Sequence, residues 1–422
     1  MVTALRVVCV RAQAASPPGS GVRSRTACAP AAQPAASQRV RRASGAAGSA
    51  PALRGALRRG PVRPQAAALP AVLFTDVQLA GSKPANGSNR LLAALPLPLA
   101  LVSVLLYGFH FPTAGVLAGE AGGVTLATSL VFLLTGLGLS RAEVAQAFSA
   151  KWAALYAMLS TLVLSPLLGI PLMRYAAEYL PQVHPELFAG LAVMLCMPTT
   201  LSTGVILTQQ VGGNAALALL LLISTNVVGV FSLPFVLREV FDLAGVAVVD
   251  PLPLVESLAR TMLAPLLLGV TVRAVVPFLW RLIDWMRPLS RLLQQACLVA
   301  TPWMSISLYA PQLAEVAPVQ LAWAAGAAAA VHALLLLANS IAAWVLGLGG
   351  RGRAAARTRR PVVLAASQKT LPVCIAVLHQ LEGALGTPGL IVLPCIFYHM
   401  LQVLMGSMLV GVWLQQDHMS QQ

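Results

Sequence analysis

Gly190-Leu-Ala-Val-Met-Leu-Cys196-Met197-Pro198-Thr199-Thr200-Leu201-Ser202-Thr203-Gly204-Val205-Ile206-Leu207-Thr208 begins as an apolar helix and then fills with hydroxyls directly after a proline. Pro198 removes one helix hydrogen bond and crowds the preceding turn, so a helix entering from Gly190 is expected to break there. A second stretch behaves alike. Val362-Val363-Leu364-Ala365-Ala366-Ser367-Gln368-Lys369-Thr370-Leu371-Pro372 places an amide and a charge inside an apolar run, again beside a proline. Lys369 lies nine residues beyond Arg360, or about 13 Å along a helix, near the middle of a hydrocarbon layer about 30 Å thick. An ionisable group at that depth is costly and points to an ion or substrate pathway, unless it is a structural lysine held by helix-end carbonyls.

The rest of the chain supports a membrane setting. Hydrophobic residues make up 58% and charged residues 10%, with a mean hydropathy of +0.78, too little polar surface to cover a water-soluble globule. Runs long enough to cross a bilayer lie near 92–110, 121–139, 152–173, 187–209, 214–237, 253–275, 290–310, 319–346, 361–380 and 387–413. Arg260 interrupts the sixth, and 281–294 reads as an amphipathic surface helix leading into the seventh.

Ten spans would place loops alternately on two sides. Arg90, Arg141, Lys151, Arg273, Arg281, Arg287, Arg291, Arg351, Arg353, Arg357, Arg359 and Arg360 then fall on the side of the N-terminus. The other side holds Arg174, Arg238 and Arg260 with most of the acidic residues, which is the asymmetry that orients membrane proteins. The expected fold class is all-α: a polytopic membrane protein of ten transmembrane helices in two inverted halves of five. The interrupted spans are the fourth and the ninth, matching positions of the two halves. Broken spans so placed are the best sequence pointer to a transporter's binding site.

The net charge of +15 is largely an N-terminal matter. Met1 to Pro70 carries eleven arginines and no acidic residue among Ala, Ser, Pro and Gly. That composition suits an organellar transit peptide over 1–70, with the mitochondrial inner membrane as the alternative destination to the plastid envelope, rather than a secretory signal or a nucleic-acid surface; it is followed by a linker over 71–90, the membrane domain over 91–413 and a short tail over 414–422. The six cysteines form no metal-ligand spacing, so no metal centre is expected.

Cys196-Met197-Pro198 through Thr208, Gly212-Gly213-Asn214, Ser367-Gln368-Lys369-Thr370-Leu371, Tyr398-His399 through Gly406-Ser407, and Phe132 to Leu137 together resemble the bile acid:sodium symporter family. Within it they resemble the divergent branch of plastid sodium/metabolite cotransporter-like proteins. The resemblance covers roughly 91–413 and implies a panel domain of spans 1, 2, 6 and 7. It implies a core domain of spans 3–5 and 8–10, in which the fourth and ninth cross as broken helices. It also implies a glutamate four residues before the glutamine of the ninth span, and two hydroxyl ligands for sodium on the fifth. Those places hold Leu364, Ala218 and Leu222. Na⁺ beside a charged Lys369 and without a carboxylate is hard to hold, because like charges at contact repel by several kcal/mol at an effective dielectric near 20. Lys369 is expected either to stand in the cation's place or to pair with an anionic substrate.

The expected function is secondary active transport of a small anionic metabolite across the plastid envelope, with both termini stromal. No cofactor is expected, and no enzyme. Substrate or ion contacts are assigned to Thr199, Thr200, Ser202, Thr203, Ser367, Gln368, Lys369 and Thr370, supported by Ser224, Thr225 and Asn226. Pro198, Gly204 and Pro372 are assigned to the helix breaks. An ATP-driven pump within this chain is excluded, since Lys83, Lys151 and Lys369 are the only lysines and none follows a P-loop glycine pattern. Two alternatives of other classes are a membrane regulator that transports nothing and an intramembrane enzyme built on His332, His379 or His399. The latter lacks any carboxylate pair or HExxH motif.

Overall fold

The computed structural model describes residues 96–139, 150–201, 203–245, 250–276, 282, 285–381 and 385–419. The expected transit peptide and linker, residues 91–95 of the membrane domain, Ser202 and residues 420–422 lie outside the described residues. Among the described residues every regular element is helical.

The chain opens with α1 (Pro96–His110), α2 (Thr113–Glu120) and α3 (Gly123–Gly138). Helix α4 (Lys151–Leu159) passes through a π-turn at Ser160–Leu164 into α5 (Ser165–Leu167) and α6 (Gly169–Tyr179). The first interrupted stretch forms α7 (Pro185–Cys196) and α8 (Thr203–Gln210), followed by the long α9 (Ala215–Ala244). Helix α10 (Pro251–Leu258) continues through a second π-turn, Ala259–Leu263, into α11 (Ala264–Val275). Then come α12 (Arg287–Leu308), α13 (Ala310–Ala314) and α14 (Pro318–Val345). The second interrupted stretch forms α15 (Gly352–Ser367) and α16 (Leu371–Gln380), and α17 (Pro388–Met419) closes the fold.

Local chemistry sets these ends. Pro185, Pro251 and Pro318 each open a helix, where a missing N–H costs nothing. Asn214 and Asp250 cap α9 and α10 by accepting from Leu217 N and Leu252 N at 3.1 Å each. Gly245 ends α9 with φ +72°, a conformation that suits glycine.

Among the described residues six helical runs are long and apolar enough to cross a membrane: Lys151–Tyr179, Ala215–Ala244, Pro251–Val275, Pro318–Val345, Ala355–Gln380 and Pro388–Met419. Leu101–His110 and Thr113–Glu120 meet at 96° and make a seventh if the bent pair is one span. Gly123–Gly138 and Pro185–Cys196 are apolar but shorter. Three details differ from the sequence reading. Residues 287–294 are the first turns of α12 itself rather than a separate surface helix, α2 is an additional short helix, and α17 continues past 413 to Met419. Arg260, inside the sixth run, is 76% exposed and pairs with Glu256 one turn earlier.

Helices α1, α2, α3, α11 and α12 pack on one another, while α4–α9, α14, α15 and α17 form a second set of neighbours. In the second set, Arg360 donates to both carboxylate oxygens of Asp417 at 2.6 and 2.7 Å and to Val211 O at 3.1 Å. Its guanidinium also lies 5.6 Å from the Trp413 ring centroid. This fork-to-fork pair fastens the end of α8 to α15 and α17.

In the first set, α3 and α11 touch backbone to backbone. A Cβ on Gly136 would stand 2.3 Å from Leu266 O, and one on Gly269 would stand 2.3 Å from Leu133 O. Ser129 Oγ donates to Thr261 O in the second π-turn, at 3.0 Å, beside the same contact. Small residues that let backbones approach are the usual basis of helix association in lipid. Gly269→Leu is therefore expected to cost about 1–3 kcal/mol or more and to reduce the yield of monodisperse detergent-solubilised protein. Gly138→Ala, which meets nothing within 4 Å, leaves the elution profile and melting temperature unchanged.

Candidate functional site: the crossing of two unwound segments

Both interrupted stretches lose their helix where the sequence indicates, between Cys196 and Thr203 and between Ser367 and Leu371. Proline alone is not the cause, because Pro234, Pro302, Pro361 and Pro394 sit inside continuous helices. At these two places the freed backbone groups find other partners. Met197 and Gln368 both take extended conformations, with ψ of 149° and 141°. Pro198 lies within the first unwound segment. Gly204 is the second residue of α8 and Pro372 the second of α16, so those two flank the breaks rather than form them.

The unwound segments meet. Thr370 N donates to Pro198 O at 3.0 Å, and Thr199 Oγ1 donates to Ala365 O at 2.6 Å. Surrounding helices satisfy most of the remaining backbone. Gln402 on α17 grips the Lys369 peptide from both sides, accepting from its N–H at 2.7 Å and donating to its carbonyl at 2.8 Å. His399 Nδ1 lies 2.7 Å from Gln402 Nε2 and steadies that amide. Tyr398 OH donates to Ser367 O at 3.0 Å, and His332 Nδ1 stands 3.2 Å behind the phenol. Asn339 donates to Ser367 Oγ at 3.0 Å and accepts from Tyr156 OH and Ser160 Oγ at 2.8 and 2.6 Å. Asn226 Nδ2 donates to Thr199 O at 3.1 Å. Irregular backbone survives at membrane depth only when served in this way.

Lys369 is completely buried. Its Nζ donates to Thr161 O at 2.9 Å, Ser165 Oγ at 2.5 Å and Met197 O at 2.9 Å. Ser165 Oγ also lies 2.9 Å from Leu195 O. Leu195 and Met197 stand at the C-terminal end of α7, where the helix dipole is negative and a cation is favoured. The amine thus has two backbone carbonyls and a hydroxyl as partners, and one of the carbonyls, that of Met197, stands at a helix end.

Of the other residues singled out from sequence, Thr200 and Thr203 pair their hydroxyls at 2.8 Å. Ser224 and Thr225 do not join the crossing by their hydroxyls, which bond back to Leu220 O and Leu221 O of their own helix at 2.7 Å each. This is the ordinary behaviour of Ser and Thr in mid-helix. The Gln368 amide behaves differently. It is fully buried, and neither its Oε1 nor its Nε2 has a partner among the described residues. Two glycines flank it: a Cβ on Gly204 would stand 3.3 Å from its oxygen, and one on Gly406 would stand 2.8 Å from its nitrogen. Thr370 Oγ1, Thr208 Oγ1 and Asn226 Oδ1 are likewise buried without partners. Buried polar groups are almost always paired, so these four residues carry hydrogen-bonding capacity left unused among the described residues.

Sequence reasoning missed Thr161, Ser165, Asn339 and Gln402. A polar residue inside an apolar span is a signal in itself, and Ser165-Pro166, Asn339 and Gln402 each carry it. Leu364, Ala218 and Leu222, at the places where the family resemblance calls for sodium ligands, are buried apolar side chains.

The profile of the SBF-like CPA transporter family matches residues 96–415. "Probable sodium/metabolite cotransporter BASS4, chloroplastic" of Arabidopsis thaliana is 37% identical over 323 residues, 76% of this chain and 72% of that protein. The protein of the same name from Oryza sativa subsp. japonica is 36% identical over 345 residues, 79% and 80% of the two chains. "Sodium/bile acid cotransporter 7" of Danio rerio is 29% identical over 194 residues, 45% of this chain and 56% of that one. With two broken helices crossing inside an apolar helical domain, and with the profile covering nearly all of that domain, the chain belongs to the SBF-like CPA transporter family.

Proposed function

We propose that this chain is a secondary active transporter that carries a small anionic organic metabolite across the plastid envelope by alternating access. The single observation that carries the reading is the unpaired amide of Gln368, held where the two unwound segments meet. Unwound backbone in mid-membrane is costly and is retained where it serves a solute.

In this reading ten spans form two inverted halves, whose fourth and ninth members are α7–α8 and α15–α16. The packing of α1–α3 with α11 and α12 supports a panel against which the remaining helices move as one body. Thr199, Thr200, Ser202, Thr203, Gln368 and Thr370 supply the polar contacts, and the N-terminal ends of α8 and α16 favour a negative group. The acid-free arginine-rich residues 1–70 and the chloroplastic relatives support delivery to the plastid, and the Lys/Arg asymmetry supports stromal termini. The apolar Leu364, Ala218 and Leu222 argue against sodium coupling through the family's usual ligand places.

Purified protein in liposomes tests this reading. Vesicles containing it accumulate one or more of a screen of radiolabelled mono- and dicarboxylates above protein-free vesicles. A regulator that transports nothing accumulates none.

Gln368 and Gln402 separate function from scaffold. Gln368→Leu removes an amide that bonds nothing within the protein, so its melting temperature is expected to stay level or rise while uptake falls about ten-fold or more. Gln402→Leu strands the N–H and C=O of Lys369, at a cost of roughly 1–3 kcal/mol for each buried group, and its melting temperature falls. Uptake by Gln368→Leu at the wild-type rate contradicts the assignment.

A further inference from the structure

Three neutral oxygens from two other segments surround the Lys369 ammonium: Thr161 O at 2.9 Å, Ser165 Oγ at 2.5 Å and Met197 O at 2.9 Å. A protonated amine has three hydrogens to give, and all three are used. No acidic side chain hydrogen-bonds or ion-pairs with it among the described residues, and its positive charge is met by carbonyls and by the negative end of α7. Carbonyl and hydroxyl oxygens gathered from separate segments are the donor set that a hard cation takes. Met197 belongs to one unwound segment and Lys369 to the other, so the ammonium pins the crossing together. The first π-turn contributes Thr161 and directly precedes Ser165.

We propose that Lys369 is a tethered cation: its ammonium fills a monovalent-cation site formed by Thr161, Ser165 and Met197, so the crossing assembles without a free sodium ion. The consequence for coupling rests on the transport reading above, whereas the site itself does not.

The site is testable without knowing the substrate. Wild-type protein is expected to melt within about 1 °C in sodium chloride and in N-methyl-D-glucamine chloride. Lys369→Ala melts several degrees lower and recovers in n-propylammonium chloride, the ammonium-bearing piece of side chain that the substitution removes. Recovery grows with concentration as mass action requires. Tetramethylammonium, a cation with no N–H to donate, gives no recovery. Ser165→Ala, which keeps the tethered ammonium, is destabilised but indifferent to n-propylammonium.

Sodium-dependent melting of the wild type overturns the proposal, and that arm decides even if Lys369→Ala does not fold. The proposal also fails if Lys369→Ala melts like wild type, or if n-propylammonium shifts wild type and variant alike. A protein that passes these tests but moves no solute in liposomes refutes the transport reading and leaves the cation site standing.

Discussion

A peptide group in hydrocarbon has no water to bond, so a break in a membrane helix must be repaired from within the protein. This chain makes two such breaks and brings them together. Pro198 O receives the amide of Thr370, and Ala365 O receives the hydroxyl of Thr199. The repair then spreads outward through side chains on α14 and α17. Gln402 serves one peptide twice, Tyr398 serves another, and Asn339 ties Ser367 to the π-turn that begins at Ser160. Because each break completes the other, neither segment can shift alone without stranding several buried groups. That coupling ties both breaks to α9, α14 and α17.

Within this paired region several buried polar atoms have no partner among the described residues, and the Gln368 amide has none on either atom. Gln368 lies between Ser367 and Lys369, both hydrogen-bonded through backbone and side chain, yet its own amide bonds nothing among the described residues, and glycines leave it room on two sides. Stability alone favours an apolar residue there, since a buried unpaired amide is a net cost. Lys369, the more conspicuous residue in the sequence, is the opposite case. Its charge is wholly used in holding α4–α5 and α7 to the crossing. Of the two, the neutral amide is the group left without a partner among the described residues, and the amine is bonded into the frame.

Much of this was legible in the residues. A proline followed by hydroxyls, and a lysine nine residues into an apolar run, mark the two breaks because lipid makes such residues expensive. What sequence could not supply was the choice of partners. Hydrogen-bonding neighbours at the crossing come from α5, α9, α14 and α17, and only packing selects them. Ser224 and Thr225 look as promising as Asn226 in sequence, but a hydroxyl reaches the carbonyl one turn back, while the longer amide reaches Thr199 O. Gly204 and Pro372 stand beside the breaks and read as their cause. The structure gives Gly204 a different role, as space for Gln368.

The most direct test of the crossing is a distance. With Thr199→Cys and Ala365→Cys in one chain, oxidation in native membranes followed by peptide mass mapping should find the two engineered thiols joined to each other, at a rate well above that of a pair placed on lipid-facing positions of α9 and α14. Segments that pass as separate, unbroken helices would leave the 199–365 linkage absent and both thiols free.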